Sequence, residues 1–330
     1  MTAFVAPGRV NLIGEHTDHA GGLCLPAAID RAIEIEVRRS SDRIVLRSED
    51  RVPISVAADG GEPTEGWARF PAAVAAELGR LGRAPVGIEA TITSDLPEGA
   101  GLSSSAALAI VIAKALCDAA DLDLDPREMA LACSRAEGRA VGVHCGVMDH
   151  IASLRGLKGH AVLLNAASLE IEYVSLPTQL RLVVLHSGVR RRLEDSSYDR
   201  RVTELRRALA GSDDPVDLRR LRHLQSENRR VADVVEALCA DPEALDRIGA
   251  ALVAGHESLR DDFEVSTTEL DALVDLAMAH GAIGARLTGA GFGGAVVALA
   301  EAADAEAMGS ATIGAYRSAF PPPQRFLAGL

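Results

Sequence analysis

A chain of 330 residues exceeds the roughly 250–300 at which one hydrophobic core stops growing, so two compact domains are expected. Apolar residues make up 48%, charged residues 25% and aromatic residues only 3%, an ordinary globular composition with a core of Ala, Val, Leu and Ile. The formal charge of -13 argues against general binding to nucleic acid or anionic membranes, while a small anionic substrate stays open because local donors can outweigh the global field.

Residues 32–38 and 43–48 alternate apolar and polar as half-buried strands do, and 86–93 repeats the pattern with a cleaner period of two. A Gly-rich turn at 97–101 then leads into SSSAALAIVIAKALCDAA, a strongly helical stretch. A second helix is predicted over 126–142, a strand over 160–164, and a buried strand in LRLVVLHS after Pro177. Helical patterns follow at about 195–210, 215–239, 242–259 and 266–280, then a strand near 283–287. A second Gly-rich turn, 289–294, feeds the apolar run AVVALA, and the Ala-rich acidic residues after 301 read as a last helix. Composition changes most at Leu176–Pro177, which places the domain boundary there: 1–176 and 177–330. The expected fold class is α/β or α+β, in layers.

Cys24, Cys117, Cys133, Cys145 and Cys239 are dispersed without CxxC spacing, as reduced thiols of a cytoplasmic protein would be. The opening MTAFVAPGRV has no basic region followed by an apolar run, and no stretch approaches the ~18 apolar residues that span a bilayer. A soluble, cytoplasmic chain is expected.

Strand, PEGAGLSSSA, then helix is an arrangement suited to phosphate: glycines admit close backbone approach, and N–H groups at a helix start carry partial positive charge. Ser103, Ser104 and Ser105 add hydroxyls; the simpler alternative is a helix cap. A Walker A loop is excluded, because no lysine occurs before Lys114. Gly99 and Gly101 fit the opening of a dinucleotide fingerprint, but Asp121, Asp123 and Asp125 follow a helix with no strand between. A dehydrogenase is thus the lesser reading of this motif.

Residues 6–30, APGRVNLIGEHTDHAGGLCLPAAID, crowd Arg9, Asn11, Glu15, His16, Thr17 and Asp18 into ten positions. Such a density of donors and acceptors suits a polyol, whose hydroxyls need paired partners. A zinc site of His16, His19 and Asp18 is the rival, though a zinc hydrolase normally needs further ligands at definite spacing.

That segment resembles the galactokinase signature, and the chain resembles the GHMP kinases through three ordered motifs: this one, PEGAGLSSSAA at 97–107 and LTGAGFGGAVVAL at 287–299. CGVMDHIASLRGLKGHAVLLNAASLE, HSGVRRRLEDSSYDRR and ESLRDDFEVSTTELDALV extend the likeness over nearly the whole chain. The resemblance implies an α+β two-domain GHMP kinase fold, with a ribosomal-protein-like N-terminal domain and a ferredoxin-like C-terminal domain. It implies transfer of the γ-phosphoryl group of ATP, with Mg2+, to the C1 hydroxyl of galactose or a galacto-configured sugar.

By resemblance Asp149 is the general base and Arg9 the arginine that keeps it ionised, the alternative for this pair being a salt bridge without chemistry. Glu137, twelve positions earlier, matches the magnesium-ligating glutamate and pairs with Ser105 as an oxygen ligand. Trp67 resembles the tryptophan near the adenine, though a lone tryptophan also suits a core. The phosphate loop contributes Gly99, Gly101, Ser103, Ser104 and Ser105 to nucleotide binding. Glu15, His16, Asp18 and Tyr198 are carried over as sugar contacts, and Gly289 to Gly294 as backbone shape near the phosphates.

The pattern is broken at defined places. The family's Tyr-Asn after HTD is His19-Ala20, its Gln after the catalytic Asp is His150, and its AEHxF and PCG become AEGRA and His144-Cys145. Arg190, Arg191 and Arg192 replace a less basic stretch, and the last residues match poorly. These changes raise a longer or anionic galacto-type acceptor beside plain galactose. A non-catalytic sugar sensor is the reading of another class, opposed by the presence of Arg9, Ser105, Glu137 and Asp149. A small-molecule sugar partner is expected, with no nucleic acid or membrane, as a monomer or dimer.

Overall fold

The computed structural model describes residues 1–330 apart from 41, 50, 63, 98, 190–196, 241–243, 318–319, 321–323 and 329–330, and the side chains of 324–328. The tract Arg190–Arg192 therefore lies outside the described residues. The chain divides into two compact units that alternate along the sequence. The first comprises Met1–Gly8, Arg31–Pro97 and Ser103–Arg155; the second comprises Arg9–Asp30, Glu98–Leu102 and Gly156–Leu330.

A five-stranded sheet in the order β1-β3-β6-β4-β5 runs through the first unit. Its strands are β1 (Thr2–Asn11), β3 (Pro26–Ser40), β4 (Arg43–Ser48), β5 (Arg51–Ala57) and β6 (Gly87–Ser94), with β2 (Leu23–Cys24) belonging elsewhere. β3 pairs antiparallel with β6, bringing Ile35 opposite Ile92, and β4 runs parallel to β6. Ile35, Ile44, Leu46 and Ile88 point from alternate positions into the core, the period of two seen in the sequence.

Four helices of this unit follow: α1 (Arg69–Arg80), α2 (Ser104–Ala119), α3 (Pro126–Val141) and α4 (Met148–Arg155). α2 is buried almost all round, Ala106, Ala109, Ile110, Ala113 and Leu116 being fully enclosed, because it packs against β6, α1, α3 and α4 at once. α3 starts where Asp125 accepts from the Arg127 N–H with Pro126 at the first position, and stops at Gly142, which adopts φ 82°. α2 leads through a turn into α3 with no strand between them, which removes the dehydrogenase reading.

The second unit holds two antiparallel sheets. One orders β2-β7-β8, with β7 (His160–Asn165) and β8 (Glu170–Ser175); the other orders β10-β11-β9-β12. Its strands are β9 (Leu180–His186), β10 (Gly284–Thr288), β11 (Ala295–Glu301) and β12 (Gln324–Ala328). β11 pairs with both β9 and β10, and Val183, Leu185, Val296 and Ala298 form the sheet's share of one core with Leu259, Phe263, Leu273 and Tyr316. Helices α5 (Ser197–Leu209), α6 (Pro215–Ala240), α7 (Leu245–Asp261), α8 (Thr268–Ala279) and α9 (Ala305–Tyr316) complete it. Largely antiparallel sheets with separate helices make the class α+β, as expected. No helix among the described residues is long and apolar enough to cross a membrane.

Candidate active site

In the first unit the serine turn does more than cap. Ser103 takes φ 58°, ψ 41° at the head of α2 and makes no side-chain cap bond. Its hydroxyl instead donates to Asp149 Oδ2 at 2.5 Å. Asp149 stands in the first turn of α4, where the exposed N–H groups favour an anion. Ser105, the second residue of α2, donates to Glu137 Oε1 on α3. Glu137 is buried, and its Oε2 lies 3.0 Å from Nε2 of the fully buried His150 on α4. Three helices thus bring together two hydrogen-bonded pairs, Ser103–Asp149 and Ser105–Glu137, with His150 close to the second. Ser104 opens α2 with a half-buried side chain, and His144 is exposed in the α3–α4 connection.

Trp67 belongs to the same unit but sits in a short 3-10 turn before α1, half-buried. Its indole N–H donates to the Val52 carbonyl of β5 at 3.0 Å, and the Arg51 guanidinium lies 5.9 Å from the ring centre.

In the second unit Arg9 is buried and pins the glycine loop: its Nη1 donates to the Gly101 carbonyl at 2.8 Å, and its N–H to the Leu102 carbonyl at 3.1 Å. The His186 ring nitrogen Nε2 approaches the Gly99 carbonyl oxygen at 3.0 Å. The third motif meets this loop, since a side chain at Gly289 (φ 83°) would stand 3.7 Å from the Gly101 oxygen. Gly291, at φ 80°, runs against the Val265 carbonyl so closely that no Cβ fits. The loop continues along the chain directly into Ser103.

The remaining signature residues form a ring-rich cluster. His16 stacks on Phe263 at 4.5 Å between centroids and lies within 6 Å of both His19 and Tyr198. The Tyr198 hydroxyl is 3.4 Å from His19 Nε2, and His19 Nδ1 is 3.2 Å from Asp18 Oδ1. Among the described residues no group of three or more His, Cys, Asp and Glu could hold a metal ion, so His16, His19 and Asp18 are not a zinc set. Ala20 packs its methyl on the core of the unit.

Glu15 is buried among charges. Arg286 Nη2 lies 2.7 Å from Glu15 Oε2 and 2.6 Å from Glu227 Oε1, so one guanidinium nitrogen serves two carboxylates. Burial pushes the Glu15 carboxyl up to about 7, against the pull of Arg286 and with the push of Glu227. Burial also opposes ionisation of Glu227, yet Arg286, His223 and Arg230 outweigh it and bring that carboxyl down to about 2.

The motifs missed a set of residues that hold the signature loop. On α6, Glu227 Oε1 accepts the Gly14 N–H at 2.8 Å, Asn228 Oδ1 accepts the Leu23 N–H at 2.8 Å, and His223 Nε2 approaches the Glu15 carbonyl at 3.1 Å. Thr17 ties the loop's ends by donating toward the Gly14 and Leu23 carbonyls. A signal existed: His223 and Glu227 share a helix face with Leu224 and Val231, and polar residues on an apolar stripe need partners. Arg286, enclosed within the short apolar strand β10, gave the same hint.

Comparisons with known proteins first define a class. The chain matches the GHMP kinases N terminal domain at residues 69–157, the GHMP kinases C terminal model at 218–313 and the galactokinase galactose-binding signature at 2–39. Galactokinase of Chloroflexus aurantiacus is 39% identical over 94% of this chain and 87% of that protein; that of Thermococcus kodakarensis is 37% identical over 96% and 94%. A crystal structure of Lactococcus lactis galactokinase complexed with galactose, 30% identical, covers 99% of this chain and 93% of its own with a TM-score of 0.93. The mevalonate kinase of Methanococcus jannaschii, 20% identical with a TM-score of 0.73, shares the fold. The chain belongs to the galactokinase family, and is a sugar kinase.

Proposed function

We propose that this chain transfers the γ-phosphoryl group of ATP to the C1 hydroxyl of galactose, in the cytoplasm and with Mg2+. The observation that carries it is the junction in the first unit, where the turn after the glycine loop delivers Ser103 to Asp149 and Ser105 to Glu137. Phosphoryl transfer asks for positioned groups and charge neutralisation; this arrangement offers a positioned carboxylate and oxygen ligands for a cation that would neutralise charge.

Asp149 is the general base. The sugar C1 oxygen bonds to the γ-phosphorus as its proton passes to the Asp149 carboxylate, and the bond from that phosphorus to the bridging oxygen breaks, releasing ADP. Ser103 fixes the carboxylate through Oδ2, so its orientation is set before substrate arrives. The resemblance gives Arg9 the supporting cationic role. Its hold on Gly101 and Leu102 also shapes the loop for the phosphates, with Gly99, Gly101 and Ser104 offering close backbone approach. Trp67 is assigned to the adenine side.

Magnesium prefers oxygen ligands and keeps several waters. Ser105 Oγ and Glu137 Oε1, in hydrogen-bond contact, are a pair of such oxygens and fit it. Held by Ser105 and Glu137, such an ion would neutralise part of the phosphate charge. Glu15, His16, Asp18 and Tyr198 recognise the sugar hydroxyls. A partition into family domains at 1–176 and 177–330 is supported by the two domain models, which fall on either side of it.

A second acceptor, galacto-configured but longer or anionic, is favoured by one feature: His19, where the family has tyrosine, approaches Tyr198. ADP release with a panel of free and phosphorylated sugars tests both readings. Galactose is expected to give the highest kcat/KM, and Asp149→Asn to lower kcat by ~10²–10⁴ while galactose still binds. Preference for another sugar selects the second reading. Sugar binding without turnover in the parent protein refutes the kinase.

A further inference from the structure

The two departures around the metal glutamate have a common structural reading. Where the family has histidine directly after this glutamate, the chain has Gly138, and where it has glutamine after the catalytic aspartate, the chain has His150. A Cβ at Gly138 would stand 3.0 Å from the Val143 carbonyl oxygen, so the local backbone leaves little room for a side chain there. His150 is fully buried, and its Nε2 reaches to 3.0 Å from Glu137 Oε2. Neither ring nitrogen completes a regular hydrogen bond with another group of the protein, which makes the Glu137 carboxylate the near polar partner of this imidazole.

We infer that His150 is a positioning residue for magnesium binding: it holds Glu137 Oε2 while Ser105 holds Oε1, so that the carboxylate is presented to the cation in one orientation. The inference rests on the reading of Ser105 and Glu137 as metal ligands. A buried carboxylate gripped at one oxygen alone can still rotate about its last torsion; an imidazole nitrogen 3.0 Å from the other oxygen restricts that rotation. Groups that orient a ligand in this way typically change metal affinity by ~10–100-fold when removed. Glutamine also carries an N–H donor and so can make the same contact, whereas leucine fills the space without one.

The test is binding of Mn2+ in the presence of ADP, read by the loss of the free-ion electron paramagnetic resonance signal, with galactose affinity by calorimetry as the control. His150→Leu is expected to weaken Mn2+ binding ~10–100-fold with galactose affinity unchanged, and His150→Gln to restore it to within about threefold of the parent. Should His150→Leu not fold, His150→Asn, polar but too short to reach Glu137, is expected to show the same loss. Parent-like Mn2+ affinity in either folded variant overturns the inference, as does an equal loss in His150→Gln. Glu137→Gln separates the two levels: if it binds Mn2+ like the parent, the metal site itself is misassigned.

Discussion

The Ser103 hydroxyl reaches Asp149 Oδ2 across 2.5 Å, joining the residue that turns the glycine loop into α2 to the first turn of α4. Ser103 achieves this from a left-handed backbone (φ 58°), a conformation that costs a non-glycine residue free energy and turns the hydroxyl from the cap.

Removal of that hydroxyl leaves the carboxylate in place without its charge-assisted bond, worth about 1.5–3 kcal/mol. Ser103→Ala is expected to lower kcat ~10–100-fold with little change in the galactose KM, as steady-state kinetics would read. A rise in KM with kcat unchanged would mean that Ser103 serves substrate binding instead.

The Arg286 cluster gives a stability signature. Glu15 ionises near 7 in the folded chain against a reference of 4.5, chiefly through burial, so the folded state binds more protons between those values. Its contribution to stability therefore falls as pH rises through that window, by about 3 kcal/mol in order of magnitude. His223, pushed by burial from 6.5 down to about 4, acts with the opposite sign between pH 4 and 6.5, as does His256, also lowered by burial, so Glu15 offsets part of a rise there. Urea denaturation of Glu15→Gln is expected to unmask a stability that rises from pH 4 to 6.5. A variant profile parallel to that of the parent would contradict the shared-arginine account.

Arg286 itself lies between two buried carboxylates. Arg286→Met leaves Glu15 without this cation while Glu227 keeps the Gly14 N–H and Arg230, and a loss of about 3–5 kcal/mol in urea unfolding at pH 8 is expected. The loss should shrink at pH 5, where Glu15 is protonated. Equal losses at the two pH values would argue against a charge on Glu15.

Gly14 adopts φ 99°, and a Cβ there would lie 2.5 Å from the Leu23 carbonyl oxygen and 2.7 Å from the Cys24 Cα. Both neighbours are backbone, so Gly14→Ala must move the signature loop. A stability loss of at least about 2 kcal/mol and a galactose KM raised several-fold are expected, with the ATP KM nearly unchanged. Parallel increases in both KM values would show that the loop does not act on the sugar alone.

His19→Phe keeps a ring but deletes the nitrogen facing Tyr198 and the one facing Asp18. Loss of these two contacts is expected to raise the galactose KM by roughly 5–10-fold, on the scale of a single net hydrogen bond. The panel of sugars should then shift in ranking. An unchanged ranking would leave His19 a packing residue.

Much of the architecture was written locally. The alternation in 32–38 and 86–93 became β3 and β6, and the apolar stretch after Ser103 became α2 within a residue of its expected bounds. β1, β2, β5, α1, β8, α4 and β12 went unread, and most of these are short, exposed on one side or weakly patterned. α4 matters most: its eight residues carry Asp149 and His150, yet MDHIASLR has no cap signal and little amphipathic period.

The ordered motifs, spaced along one chain, determined the family and the sugar-kinase reaction, because such chemistry requires particular side chains in particular local turns. Only tertiary structure decided that the serine hydroxyls leave the helix cap for Asp149 and Glu137, and that Arg286 divides one positive charge between Glu15 and Glu227. It likewise decided that α6 grips the loop of residues 14–23. The physical reason is that a partner's identity depends on which distant segments meet, and burial then sets the strength and protonation of each contact. Neither quantity is encoded in spacing along the chain.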